Sequence, residues 1–394
     1  MKPFEKLKIL DLTRVLAGPY ASMMLADFGA DVIKIETPDV GDDSRGFGPF
    51  VGKESAYFMS LNRGKRSMTL NLKLPAAQEL FRDLVKKSDV VLENYRPGTM
   101  EKFGLGYEEL CKINPRLIYA ACSGFGHSGP YMEKAAYDVI VQGMGGIMSI
   151  TGQEGGEPTR VGASVGDITA GLFTVIGLVT ALYTRTISGR GQKVDVAMLD
   201  CQVAILENAI SRYLVTGNVP GPIGNRHSSI TPFEAFQAKD GYIIIAVGND
   251  RLWAKFCNLV KREDLIGDER FVNNAQRTKN QKQLKAVLDG IFPGKTVDGW
   301  IEALEAEGIP CGPINTVDRI MEDPQIKARD MILEIEHPVA GKLKMPGLPI
   351  KLSETPGAVL HPAPLLGQHT DEILKEMLGL SPEQIAEMRT KKVL

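Results

Sequence analysis

The chain is short of the residues that usually announce a reaction. Its 394 residues include only five cysteines (Cys111, Cys122, Cys201, Cys257, Cys311), scattered and without a C-x-x-C pair. That spacing argues against a zinc site and for reduced thiols, as in a cytoplasmic protein. The five histidines are equally dispersed, and no H-E-x-x-H or H-x-x-x-H pair occurs, so no metal is expected. A Walker A sequence is missing, which leaves ATP phosphate chemistry unsupported. Net charge is −2, so no basic field points to nucleic acid. Long hydrophobic runs are lacking too. The longest, Leu172 to Tyr183, falls short of the roughly 20 residues that span a bilayer and reads as a core helix, with no membrane role. The first residues enter a strand pattern directly, without the layout of a signal peptide.

What is present is ordinary globular composition, 43% apolar and 24% charged. The length is too great for one ordinary core, so two domains are expected. Strand patterns at Leu7–Leu12, Asp31–Glu36, Arg66–Leu72, Asp89–Glu93 and Leu117–Cys122 alternate with helical ones at Gly18–Phe28, Pro75–Lys87 and Tyr107–Ile113. Such alternation implies parallel βαβ units and a Rossmann-like sheet. Ligands on these sheets bind beyond the carboxyl ends of the strands. Three segments that follow strands are therefore candidates: Thr13–Pro19, Asn94–Gly98 and Ser123–Pro130. After a strand at Lys193–Ala197, one helix is read over Asp200–Thr216. The Gly/Pro-rich stretch Gly217–Asn225 marks a boundary. Beyond it, Gly241–Val247 reads as a buried strand, and helices are expected near Arg251–Val260, Gln281–Ile291, Val297–Glu307, Thr370–Leu378 and Ser381–Thr390. The division expected is 1–216 for the first part of the large domain, 217–322 for a small domain, and 323–394 for a segment returning to the large one.

One carboxylate draws attention. Asp167 stands between Gly166 and an apolar run that begins at Ile168. An Asp there usually caps the helix, accepting a bond from an orphan N–H. It could equally serve as a nucleophile, since a helix N-terminus favours the anion and Gly166 would admit a bulky substrate. Two other stretches are ambiguous. Gly124-Phe-Gly-His-Ser-Gly129 matches a dinucleotide fingerprint literally, but Pro130 follows and no acidic residue lies at the ribose spacing. Asn62-Arg-Gly-Lys-Arg-Ser67 packs three cations into a loop, either to clamp phosphates or as plain surface.

Taken together and in order, Leu10-Asp-Leu-Thr-Arg-Val-Leu-Ala-Gly-Pro19, Gly29-Ala-Asp-Val-Ile-Lys-Ile-Glu36, Gly41-Asp-Asp43, Glu93-Asn-Tyr-Arg-Pro-Gly98, Gly124-Phe-Gly126, Tyr137-Asp138, Gly166-Asp167, Gly189-Arg-Gly-Gln192, Ile309-Pro-Cys-Gly-Pro313 and Leu365-Leu-Gly-Gln-His-Thr370 resemble the class III coenzyme A transferases over essentially the whole chain. The resemblance implies an α/β fold: a Rossmann-like large domain plus a smaller α+β domain, with two subunits interlocked as rings in a homodimer. It implies transfer of CoA from an acyl-CoA to a carboxylic acid, with no permanently bound cofactor and with Asp167 as the nucleophile. Contacts to CoA carry over to Leu16 and Ala17, to Arg63, Lys65 and Arg66, to Asn94, Tyr95 and Arg96, to Lys102, and to Tyr137 and Asp138. Pro38 stands where formyl-CoA transferases have an arginine, and the run of glycines of the oxalate enzymes is absent. Gly41-Asp-Asp43, Gly224-Asn-Arg-His227 and Thr231-Pro-Phe233 are most similar to the succinate–hydroxymethylglutarate, or dicarboxylate, branch. On that reading Arg226, His227 and Ser228 face the distal carboxylate of a diacid; alternatively they form an ordinary polar loop. Two rivals stand beside transfer. The α-methylacyl-CoA racemases of the same superfamily share the Asp but place a His before the other acidic residue, where this chain has Tyr137, whose reference pKa near 10 suits acid–base work poorly. A non-catalytic CoA-binding protein is the third reading.

Overall fold

The computed structural model describes residues 2–394. The chain forms two compact units, one made of residues up to 147, 160–217 and from 327 on, the other of 148–159 and 218–326. The short excursion 148–159 departs from the expected division, which kept the first 216 residues together.

The first unit is built on six strands: β1 (Lys8–Asp11), β2 (Asp31–Glu36), β3 (Arg66–Thr69), β4 (Val90–Glu93), β5 (Ile118–Ser123) and β6 (Lys193–Ala197). They lie in the order β3-β2-β1-β4-β5-β6, and every neighbouring pair is parallel. Their side chains alternate between two buried faces. Leu10, Ile33, Val91 and Tyr119 join one core, and Ile9, Val32, Val90 and Ile118 join the other. A parallel sheet covered on both sides needs this doubly apolar pattern. Helix α1 (Ala17–Asp27) and helix α2 (Pro75–Val85) follow β1 and β3. The C-terminal helices Thr370–Leu378 and Pro382–Thr390 contribute Ile373, Leu374, Met377 and Ile385 to the first of these cores, so the chain's end completes the unit it began.

Two elements differ from expectation. The helix after Asp200 is broken at Leu206 into Met198–Ile205 and Glu207–Thr216, with Glu207 at a φ of 26°. More consequential is α4, which follows α3 (Asp138–Met144). It runs from Val165 to Ser188, 24 residues, long and apolar enough by length and composition to cross a membrane. Only one side of it is core. Ala170, Thr174, Leu178 and Ala181 are buried, while Leu172, Phe173, Ile176, Val179, Tyr183 and Ile187 are exposed along the opposite face. Gly171 lets α4 approach α1, because a Cβ there would lie 2.8 Å from the Ala17 carbonyl oxygen.

The second unit carries a three-stranded antiparallel sheet, Phe233–Gln237, Tyr242–Ala246 and Cys311–Pro313, with Tyr242–Ala246 in the middle. That central strand is buried on one face only: Ile243 and Ile245 are inside, Tyr242 and Ile244 outside. Helices Asp250–Leu259, Gln281–Asp289 and Val297–Ala306 close its core, in which Phe236 stacks on Phe292 at 4.5 Å.

Candidate active site

The strand order reverses direction between β1 and β4. The chain leaves their carboxyl ends towards opposite sides, which opens a crevice there in any sheet of this kind. Arg14 and Asn94 sit at its two lips and bond reciprocally: the Arg14 N–H donates to Asn94 Oδ1, and Asn94 Nδ2 donates to the Arg14 carbonyl, both at 2.8 Å. Val15 occupies the left-handed region at a φ of 68°, a costly position for a β-branched residue. Its N–H donates to Asp42 Oδ1 at 3.1 Å. Asp42 is itself held by buried Lys34 at 2.8 Å, and Lys34 donates to the Thr13 carbonyl at 2.7 Å. A buried ionic frame thus fixes the turn between β1 and α1.

A cavity of about 240 Å³ opens at this point. Its walls include Leu16, Ala17, Asn94, Tyr95, Arg96, Tyr137 and Asp167, all named from sequence. Arg14, Asp43, Ser123, Gly124 and Lys134 also line it. The first four lie in segments the sequence singled out; nothing in the pattern marked Lys134. Arg14 pairs with Asp43 at 3.2 Å and lies over the Tyr95 ring, and Lys134 lies over the Tyr131 ring. Arg14, Arg96 and Lys134 give one cavity three cations.

Asp167 is the third residue of α4, not its cap. The capping position belongs to Ser164, whose side chain makes no cap bond. Asp138 does that work from α3: its Oδ1 accepts the Gly166 N–H at 2.8 Å. Its Oδ2 accepts from Gln142 at 2.8 Å and from Arg160 at 3.2 Å. Gly166 is small for packing rather than for substrate approach, since a Cβ there would lie 2.8 Å from Val141 Cγ2 and 3.0 Å from Asp138 Oδ1. Among the described residues no hydrogen bond holds the Asp167 carboxylate. Below it an apolar floor gathers Ala17, Cys122, Val141, Ala170 and Met198. Burial first, and Asp138 second, push the Asp167 carboxyl up to about 7, against a smaller opposing pull from Arg160. A carboxylate so raised is more basic than a free one and correspondingly more nucleophilic once ionised.

Several expected contacts lie elsewhere. Arg63 is buried against Asp27 at 2.7 Å, and Lys65 against Asp11 at 3.1 Å. Arg66 pairs with Asp31 at 2.6 Å, and with Glu372 and Glu376. None of the three lines the cavity, and carboxylates elsewhere in the unit already take their charge, buried ones for Arg63 and Lys65 and more exposed ones for Arg66. Lys65 instead braces the frame beneath it, with burial lowering its ammonium to about 8. Lys102 is exposed on a helical turn, Thr99–Lys102, outside the cavity wall. Arg226, His227 and Ser228 belong to the second unit. Arg226 pairs there with Glu154 at 3.2 Å in a separate cavity of about 860 Å³, and His227 packs on Phe233 with ring centres 5.4 Å apart.

Comparison with known proteins points one way. The model of "CoA-transferase family III" matches residues 4–370. Human "Succinyl-CoA:glutarate CoA-transferase" is 39% identical over 389 residues, covering 98% of this chain and 89% of that protein. "Acetyl-CoA:oxalate CoA-transferase" from Acetobacter aceti is 44% identical, covering 90% of this chain and 92% of that one. A crystal structure of a CAIB/BAIF family protein from Brucella suis superposes with a TM-score of 0.85 at 41% identity, covering 95% and 99% of the two chains.

The Asp167 titration has a stability consequence. The folded carboxyl titrates near 7 and the unfolded one near 3.8, so ionisation opposes folding. The cost is absent below about pH 4, grows as pH rises towards 7, and is complete above it. Asp167→Asn is therefore expected to stabilise the protein by about 2–4 kcal/mol at pH 8 and by little at pH 4, read by urea unfolding at both pH values. Equal effects at the two values would contradict the raised titration.

Proposed function

Since this chain belongs to CoA-transferase family III, we propose that it moves CoA from a short acyl-CoA, such as succinyl-CoA, to a dicarboxylic acid, with Asp167 as the covalent carrier. The observation that carries this reading is a raised carboxylate with no hydrogen bond at the wall of a cation-rimmed crevice. Ionised Asp167 attacks the thioester carbonyl carbon. The C–S bond breaks, leaving an acyl–aspartyl anhydride and a CoA thiolate. The thiolate attacks the aspartyl carbonyl, the anhydride C–O bond breaks, and the donor acid departs. The acceptor carboxylate attacks the aspartyl–CoA thioester and repeats the two steps in reverse, regenerating Asp167. Every bond broken is replaced, and no water, metal or redox partner enters the balance. Splitting the exchange in this way replaces one hard step by several easier ones.

The other groups take roles by position. The Ala17 and Gly18 N–H groups at the start of α1, which no side chain caps, are suited to hold the oxyanions. Arg14, Arg96 and Lys134 are suited to the CoA phosphates, the part first assigned to Arg63, Lys65 and Arg66. Asp138 positions Asp167 through the Gly166 N–H. The resemblance to the dicarboxylate branch makes Arg226 the candidate for the acceptor's second carboxylate, which would have to displace its pairing with Glu154. Racemisation is disfavoured because Tyr137 occupies the place of its acid–base His.

The exposed stripe of α4 is best explained by a second copy of this chain. Ile176, Tyr183 and Ile187 are 59%, 69% and 73% exposed, and they stand on one helical face that runs nearly the whole length of the helix. We assign a cytoplasmic homodimer, on this stripe and on the five unpaired cysteines.

The direct assay offers succinyl-CoA with a panel of acids. Transfer to diacids is expected, with kcat/KM rising about tenfold per pH unit up to about 7 as Asp167 ionises. Asp167→Asn is expected to lose at least about a thousandfold in kcat. Arg226→Gln is expected to raise KM for diacids and leave monoacids unchanged. Exchange of an α-proton without transfer would replace this reading by the racemase. Sedimentation at micromolar concentration is expected to give twice the chain mass, and a monomer would remove the dimer.

A further inference from the structure

Glu93 ends β4, immediately before the Asn94–Pro97 wall of the cavity, and takes no part in the reaction described above. Its carboxyl is almost wholly buried. The Tyr95 N–H donates to Oε2 at 2.7 Å, and the Tyr119 hydroxyl donates to Oε1 at 3.3 Å. On the other side stands His127, in the turn that follows Ser123 and Gly124 of the opposite wall. Its Nε2 lies 3.6 Å from Glu93 Oε1, is buried, and has no hydrogen-bond partner. The ring is oriented from behind. Lys193 Nζ sits 3.0 Å from Nδ1, and the ammonium can only donate, so the neutral ring's proton is assigned to Nε2, facing Glu93. Asp195 fixes the same turn by accepting the His127 N–H at 3.0 Å. Two walls from different strands therefore meet, below the cavity, at one carboxyl group.

We propose that Glu93 is a positioning residue for the acyl-CoA substrate, setting the Asn94–Pro97 wall through the Tyr95 N–H, with His127 of the Gly124–Ser128 turn packed against its other oxygen. The inference rests on the reading of this cavity as the CoA site. Glu93 does this as the neutral acid, in which the carboxyl O–H donates to the Tyr119 hydroxyl and so reverses the bond that the ionised form accepts. Burial pushes its carboxyl up to about 8, and the bonds from Tyr95 and Tyr119 offset only part of that. The groups facing it are Tyr95, Tyr119, Glu101, Cys122, Lys193 and His127, with Asp195 behind His127. Only Lys193 is a cation, and His127 is held neutral by burial and by Lys193. A neutral acid can sit beneath a wall that receives a polyanionic substrate. An ionised one would repel it, so acyl-CoA binding should weaken as pH passes 8.

The experiment follows KM and kcat for the acyl-CoA donor between pH 7 and 9. In the wild type KM is expected to rise about five- to tenfold over that range while kcat stays level. Glu93→Gln keeps the shape of the neutral acid and an acceptor for Tyr95, so its KM should match wild type at pH 7 and stay flat to pH 9. Glu93→Ala should show a raised KM at every pH, with the Gln variant as its rescue. A Glu93→Gln enzyme that keeps the wild-type pH dependence would overturn the proposal, because Lys65, which also titrates near 8, would then account for it. Loss of kcat alone in both variants would overturn it as well. A wild type that binds no CoA thioester at any pH would remove the CoA-site reading itself, and this inference with it.

Discussion

The Asp138 carboxylate accepts the Gly166 N–H at 2.8 Å, and the state of Asp167 depends on that bond. An acidic residue in the first turn of a helix normally spends its charge on orphan amides. Here a neighbouring helix supplies the acceptor, so Asp167 is left without a partner above an apolar floor. The same neighbour raises its titration by adding a second negative charge nearby. One contact therefore both holds the helix end and leaves the neighbouring carboxyl unpartnered with its titration raised. Stability is given up in return: a half-buried charge with no hydrogen bond is tolerated only because the surrounding packing over-determines its place.

The cavity depends on a second, equally local constraint. β1 and β4 are neighbours in the sheet but lie about eighty residues apart in the chain, and the reciprocal Arg14–Asn94 bonds join their ends. Lys34, Asp42, Lys65 and Asp11 form ion pairs with side chains shut off from solvent, directly beneath the first turn. Removing one member of such a pair leaves an uncompensated buried charge, so the frame resists change more strongly than surface pairs do. It keeps Val15 in a conformation it would not adopt alone. The rigid backbone this produces is what an oxyanion site requires, since donors that are already in place need no reorganisation during the reaction.

Much of this was legible from the residues. The alternation of strand and helix located all six parallel strands to within a few positions, the inner ones because a sheet buried on both faces writes apolar runs there. The rule that ligands sit beyond strand carboxyl ends selected Thr13–Pro19, Asn94–Gly98 and Ser123–Pro130, and residues from all three line the cavity. The cation cluster Arg63, Lys65 and Arg66 lies away from the cavity wall. Its partners, Asp27, Asp11, Asp31, Glu372 and Glu376, are distant in sequence, and no local pattern distinguishes a solvated charge from one neutralised across the fold. The extent of α4 was hidden for a related reason. Thr169 and Thr184 flank the apolar run Leu172–Tyr183 but bond back to carbonyls of their own helix, so these polar positions do not end it. Lys134 had no signal at all, since it reaches the cavity from an irregular segment.

The central claim is that Asp167 carries CoA as a covalent thioester, and peptide mass spectrometry reads it directly. Protein incubated with succinyl-CoA is treated with hydroxylamine or borohydride, then digested. The account predicts a hydroxamate, or a carboxyl reduced to the alcohol, on the peptide that contains Asp167 and on no other. An unmodified Asp167 with every acyl-CoA tried, in protein that still transfers CoA, would contradict it.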